Sequence, residues 1–194
     1  MRSLNESQAN GGAVAFASID GARVLYINGP IDSNMAYYFN MALLRLEHEN
    51  SQEDITVYIN SPGGSVSDGL SMIDTMNLVA CDVSTVCVGM AASMGAMILM
   101  SGEKGKRKIL PHSQVLIHQT LSTLNGTLQT TDLKNLADNA IRTREMLYQI
   151  IHETTGQDLK KIEIDCERDY VLTAEEALNY GIVDEVIFSH KFRR

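Results

Sequence analysis

Apolar residues recur along this chain with two spacings, and the spacing changes at turn signals, so the pattern divides the sequence into alternating strands and helices. Arg23-Val-Leu-Tyr-Ile-Asn28 reads as a strand and ends at the Gly29-Pro30 turn. Asp32 or Ser33 can cap the helix that follows, in which Met35, Tyr38, Phe39, Ala42, Leu43 and Leu46 form a 3.6-period stripe. Ile55-Thr-Val-Tyr-Ile-Asn60 is a second strand. Ser61-Pro-Gly-Gly-Ser65 then turns the chain into a helix carrying Val66, Leu70, Ile73 and Met76. A third strand is expected over Val83 to Val88, with a helix from Ala92 onward and short strands at Ile109-Leu110 and Val115-Leu-Ile117. The longest helix is expected from Thr131 to about Thr155, with Leu133, Leu136, Ala140, Leu147, Ile150 and Ile151 at helical spacing and Gly156 ending it. Thr173-Ala-Glu-Glu176 is a capping box for a short helix stopped by Gly181, and Ile182 to Phe188 reads as the last strand. This alternation predicts an α/β layer fold with part of its sheet parallel, and no repeat or linker interrupts it.

Composition narrows the class. At 194 residues, with 44% hydrophobic residues, the chain has the size and apolar content of one folded domain. The net charge of -8 opposes a nucleic-acid partner, and the short basic run Lys104-Gly-Lys-Arg-Lys108 reads as a solvated turn. Three cysteines, Cys81, Cys87 and Cys166, have no CxxC spacing, and the polar start MRSLNESQANGG lacks an apolar core; both point to a reducing, cytoplasmic setting. Val83 to Met100 holds no charged residue, but Gly89 and Gly95 divide it, so it is read as two buried elements and no membrane contact is expected.

Two strand-bend-helix units carry candidate chemistry. In Ser61-Pro-Gly-Gly-Ser65 the adjacent glycines let backbone amides approach a negative oxygen, although such a turn also serves as a plain connector. In Gly89-Met-Ala-Ala-Ser93-Met-Gly95, small residues surround a serine that opens a helix directly after a buried strand. Ser93 is equally readable as a helix N-cap. A nucleophilic serine needs a base, and His118, at the end of Val115-Leu-Ile117, is the best placed of five histidines. His48 and His152 fall among glutamates in helical stretches, and His190 lies in the tail. An imidazole needs a carboxylate to hold its tautomer: Asp169 stands at an element boundary, with Asp165 and Asp184 as competitors. No HExxH spacing occurs, so a zinc site is not expected.

The motifs Tyr58-Ile-Asn-Ser-Pro-Gly-Gly-Ser65, Gly89-Met-Ala-Ala-Ser-Met-Gly-Ala96, Leu110-Pro-His-Ser113, Ile117-His-Gln119, Glu167-Arg-Asp169 and Ala174-Glu-Glu-Ala-Leu-Asn-Tyr-Gly181 follow one another in the order of a known family. Across residues 23–188 the sequence resembles the proteolytic subunits of the caseinolytic (Clp) protease, the ClpP family of serine peptidases. The resemblance implies a crotonase-like ββα spiral with a protruding handle helix. Residues 1–194 would form one domain, with 1–20 a flexible arm and about 119–155 the handle region. It implies a catalytic triad of Ser93, His118 and Asp169 and an oxyanion hole from the amides of Gly64 and Met94. Met90 and Met97, beside the serine, are expected to line an apolar substrate pocket. No cofactor is expected in this chain, since ATP would be used by a hexameric AAA+ unfoldase. The implied partners are heptameric rings of the chain itself stacked to a tetradecamer, a second ClpP paralogue, and unfolded polypeptide substrates. The handle and the adjoining Ser122-Thr-Leu-Asn-Gly126 would mediate stacking. Residues 1–20 depart from the family pattern, and Thr120 replaces a usual proline. Two other readings are a structural ring subunit supporting a catalytic paralogue and a crotonase-like acyl-CoA enzyme.

Overall fold

The computed structural model describes residues 22–121 and 129–188, so the expected arm, the Ser122-Thr-Leu-Asn-Gly126 segment and His190 lie outside the described residues. Strand β1 (Val24–Asn28) leads into helix α1 (Ser33–Glu49), where Asp32 caps by accepting the Met35 N–H at 2.8 Å. Strand β2 (Ile55–Ser61) alternates buried and half-buried positions, because successive side chains point to opposite faces of the sheet. It is followed by α2 (Val66–Leu78), capped by Ser65. Strand β3 (Val83–Ala92) and helix α3 (Met94–Met100) come next, then the short strands β4 (Arg107–Ile109) and β5 (Gln114–Ile117). Helices α4 (Thr130–Thr155) and α5 (Leu159–Asp165), strand β6 (Tyr170–Thr173), helix α6 (Ala174–Tyr180) and strand β7 (Glu185–Val186) complete the order.

The sheet runs β1-β2-β3-β4-β7, all parallel, while β5 pairs with the far end of β3 and β6 lies antiparallel on β5. The alternation therefore produces the α/β class it predicts. β3 extends four residues past the expected Val88 because it serves two neighbours in turn. Thr85–Cys87 pair with β4, and Met90–Ala92 pair with β5. On the β2 side, Val88, Gly89 and Met90 stand opposite the single residue Asn60, since Ile59 pairs with Cys87 and Ser61 with Ala91. Gly89, at φ +84°, sits in the middle of this bulge.

Every residue of α3 is buried, which explains the uncharged run Val83–Met100: a strand and a helix at the centre of the core. No helix among the described residues is long and apolar enough to cross a membrane. In the same core, the side chains of Ile27, Ile59, Phe39, Leu43 and Met72 are at most 1% exposed, and burying each contributes about 1.5–3 kcal/mol.

Two elements escaped the sequence reading. Helix α5 is too short for its period to be seen, and β6 has an unusual burial pattern, with only Leu172 inward. The last strand is also shorter than the expected Ile182–Phe188: only Glu185 and Val186 pair with β4, flanked by bonds from the Asp184 and Ile187 N–H groups to the Arg107 and Ile109 carbonyls. Arg107, 4% exposed, donates to both Asp184 carboxylate oxygens and to the carbonyls of Met100 and Thr154. It thereby pins the C-terminal ends of α3 and α4 to β4 and β7.

Helix α4 has 26 residues, a length of about 39 Å at 1.5 Å per residue. Residues 130–139 are exposed throughout, and burial begins in earnest at Leu147, Tyr148 and Ile151. Leu133, Leu136 and Ile141 consequently present apolar side chains to solvent on the projecting part.

Candidate active site

Ser93 closes β3 and precedes α3 in a sharp turn with φ +53°, the only positive φ among described residues other than glycine. Such a conformation costs about 1–3 kcal/mol and persists only where surrounding bonds over-determine it. Three bonds do so here. The Ser93 N–H donates to Leu116 O at 2.8 Å, and Ser93 O accepts from Ala96 N and Met97 N at 3.0 and 3.1 Å. Ser93 is the N-cap residue of α3 by position, but its hydroxyl makes no capping hydrogen bond. The strain serves to hold the side chain out at the end of a buried strand.

The Pro-Gly-Gly bend packs directly against that turn. A Cβ on Gly63 would lie 2.6 Å from Ser93 Cβ and 2.7 Å from Ala92 O, so only glycine admits the approach. The neighbouring Gly64 is held by a bridge to Ile31: Ile31 N–H donates to Gly63 O and Ser65 N–H to Ile31 O, both at 2.9 Å. Neither the Gly64 nor the Met94 amide N–H has an acceptor among the described residues. Two free backbone donors thus flank one serine.

His118 follows β5, whose alternation turns Ile117 into the core and leaves His118 on the opposite face, with its side chain 14% exposed. Its Nδ1 lies 3.9 Å from Asp169 Oδ1, an approach too long for a hydrogen bond, and the Asp169 side chain is 74% exposed. Ser93 and His118 line the same cleft, of about 260 Å³, without a hydrogen bond between them. The competing carboxylates have other partners. Asp165 accepts from Tyr180 Oη at 2.9 Å and from Lys161 Nζ. Burial, reinforced by that hydrogen bond, pushes the Tyr180 phenol well above its usual range. Asp184 is bound by Arg107; burial pushes its pKa up, but the Arg107 guanidinium and backbone N–H outweigh this and leave it below the ordinary carboxylate value.

Gly64, Met94 and Met97 also line the cleft. Met90 does not: it lies at the bulge of β3 and is 39% exposed, outside the cleft lining. The opposite wall comes from α4, through Leu147, Tyr148 and Ile151, with Arg144 at its edge. Arg144 sits 5.9 Å from the Tyr148 ring, and its buried Nε has no hydrogen-bond partner among the described residues. The spacing of Leu147, Ile150 and Ile151 marked a buried face of this helix, but nothing local identified the cleft as what it faces.

Other reactive groups are poorly placed for chemistry. All three cysteines are free and buried, and desolvation pushes the thiols of Cys87 and Cys166 up to about 12, far from the thiolate form a nucleophile needs. Among the described residues no group of three or more His, Cys, Asp or Glu side chains could hold a metal ion.

Comparison with known proteins shows the family of the chain as a whole. A family model described as Clp protease matches residues 8–190. Two curated relatives from different strains of Streptococcus thermophilus, each described as "ATP-dependent Clp protease proteolytic subunit", are 42% identical over 171 residues. In each case the match covers 88% of this chain and 87% of the relative.

Proposed function

Because this chain belongs to the Clp protease family, we propose that it acts as the proteolytic subunit of an ATP-dependent Clp protease, with Ser93 as nucleophile, His118 as general base and Asp169 as the group that orients His118. The observation that carries the assignment is the strained, hydrogen-bond-supported turn at Ser93, set in one cleft with His118 and two unengaged amides. Ser93 Oγ attacks the peptide carbonyl carbon while its proton passes to His118 Nε2. The negative oxygen that forms accepts from the Gly64 and Met94 amides. The C–N bond then breaks, His118 returns the proton to the leaving amine, and water, activated by His118 in turn, releases the acyl group from Ser93. Asp169 stabilises the imidazolium through Nδ1, the nitrogen it approaches in the resting chain.

Peptides with apolar side chains beside the scissile bond suit the cleft, whose walls include Met97, Leu147 and Ile151. The family works as stacked seven-membered rings with an AAA+ unfoldase that consumes ATP. For this chain, the exposed apolar residues of α4 support a role in ring stacking, with residues 130–155 as the core of a handle within a single peptidase domain. The open spacing of His118 and Asp169 fits a site that tightens on assembly or on substrate binding. Membership of a serine peptidase family leaves the acyl-CoA reading without support.

The decisive experiment treats the purified chain with a fluorophosphonate and maps the adduct, alongside hydrolysis of an apolar fluorogenic peptide. The adduct is expected on Ser93, and Ser93→Ala is expected to abolish hydrolysis with assembly intact. Wild-type turnover by Ser93→Ala would refute the assignment. A stable ring that neither labels nor hydrolyses would favour a structural subunit instead.

A further inference from the structure

The antiparallel ladder between β5 and β6 ends at the pair Ile117 and Tyr170. Continued in register, it would set His118 against Asp169 and Gln119 against Arg168. The chain does something else. The Gln119 backbone N–H donates to Cys166 O at 2.6 Å, and its side-chain Nε2 donates to Glu167 O at 3.0 Å. Between the Gln119–Cys166 backbone bond and the last ladder pair, one strand has a single residue, His118, while the other has three: Glu167, Arg168 and Asp169. Residues 167–169 therefore bulge opposite the candidate base, and Asp169 stands at one end of the bulge.

Both ends of this bulge are held. Tyr170 is fixed by the ladder. Cys166 is fully buried, and its N–H closes α5 on Ile162 O at 2.9 Å. Inside the bulge, no described group other than Gln119 donates to Glu167 O. The Asp169 carboxylate accepts no hydrogen bond among the described residues and is 74% exposed, so packing does little to locate it. Its place is set by the path of the backbone beneath it.

We propose that Gln119 is a positioning residue for the peptidase reaction: by clamping the Cys166 and Glu167 carbonyls it sets the path of residues 167–169 and so holds Asp169 beside His118. The inference rests on the reading of His118 and Asp169 as base and orienting carboxylate. The backbone bond survives any substitution of Gln119 except proline, whereas the side-chain bond requires a donor of glutamine's length. Methionine keeps the length without a donor, and glutamate keeps the shape but, ionised, only accepts.

The test compares the assembled wild-type protein with Gln119→Met, Gln119→Glu, Asp169→Asn and the Gln119→Met/Asp169→Asn double variant. Turnover of an apolar fluorogenic peptide, the rate of fluorophosphonate labelling of Ser93 and the thermal midpoint are measured for each. Gln119→Met is expected to lower kcat about tenfold, as a modest misplacement of a catalytic group does, with KM within about twofold of wild type. Because Gln119 acts through Asp169, the same substitution should cost nothing further once the carboxylate is gone. Gln119→Glu should reproduce the single-variant effect, which keeps the test decisive where Gln119→Met fails to assemble. An equal loss in both backgrounds would assign Gln119 a purely structural role and overturn the inference. A rise in KM at unchanged kcat would instead make Gln119 a substrate contact and overturn it too. A large effect of Asp169→Asn with none from Gln119→Met or Gln119→Glu overturns this inference alone; Asp169→Asn at wild-type rate overturns the carboxylate assignment with it.

Discussion

Replacing Gly63 by alanine would test whether the candidate nucleophile is held by close approach of two turns. Gly63 has φ +89°, and an added Cβ would lie 2.6 Å from Ser93 Cβ and 2.7 Å from Ala92 O. Reaching ordinary carbon–carbon contact would push the Ser93 turn away by about 0.9 Å. Gly105 supplies the control, since it has nearly the same φ, +88°, with nothing within 4 Å of an added Cβ. Both alanines bear the backbone strain, about 1–2 kcal/mol. Only Gly63→Ala adds overpacking, about 1–3 kcal/mol. For a chain of this size a further ~2 kcal/mol lowers the midpoint by roughly 4–8 °C. Midpoints should be compared at one protein concentration, because assembly stabilises the folded state by mass action. Displacing the serine by nearly 1 Å should also reduce turnover about 10²-fold, while Gly105→Ala should turn over normally. Equal midpoints for the two variants, with normal turnover in Gly63→Ala, would show that the turns move apart freely and that the close approach does not hold Ser93.

Further expectations concern the carboxylates. Asp169→Asn should lower the rate by about 10⁴, the loss that accompanies the wrong imidazole tautomer, while Asp165→Asn should act through stability; the reverse pattern in peptide hydrolysis would move the orienting role to Asp165. Removing one partner of the Arg107–Asp184 pair, whose side chains are 4% and 18% exposed, should destabilise by about 3–5 kcal/mol at neutral pH. The Asp184 pKa is depressed in the fold, so its stabilisation is present above the ordinary unfolded value of about 3.9 and is lost as pH falls through the lower folded value. Wild-type stability should therefore decline more steeply than that of Asp184→Asn through this acid range in urea titrations, and parallel curves would contradict the ion pair's role.

Local patterns alone carried the α/β class, the capped starts of α1 and α6, the ends of α4 and α6 at glycine, and the position of Ser93 at a strand-to-helix turn. These depend on residues within a few places of one another: Asp32 on Met35 N–H, Thr173 on Glu176 N–H, Gly156 and Gly181 in left-handed conformation. The motifs that mark the family are local in the same sense, which is why Ser93, His118 and Asp169 were nameable before any coordinates. Tertiary structure decided what each element meets. Periodicity shows that Leu147 and Ile151 are buried, but only the packing of α4 makes them a wall of the Ser93 cleft. Adjacency in sequence suggested Met90 for that wall, but Met90 sits in the bulge of β3 against Asn60 and is not among the residues lining the cleft. Asp165 and Asp184 have the same local credentials as Asp169. They part company because Tyr180, Lys161 and Arg107 claim the first two, whereas the pairing of β5 with β6, which ends at Ile117 and Tyr170, leaves the third next to His118. Each of these outcomes depends on contacts between residues from four to nearly eighty positions apart, and hydrophobic spacing records that a face is buried without recording the partner that buries it.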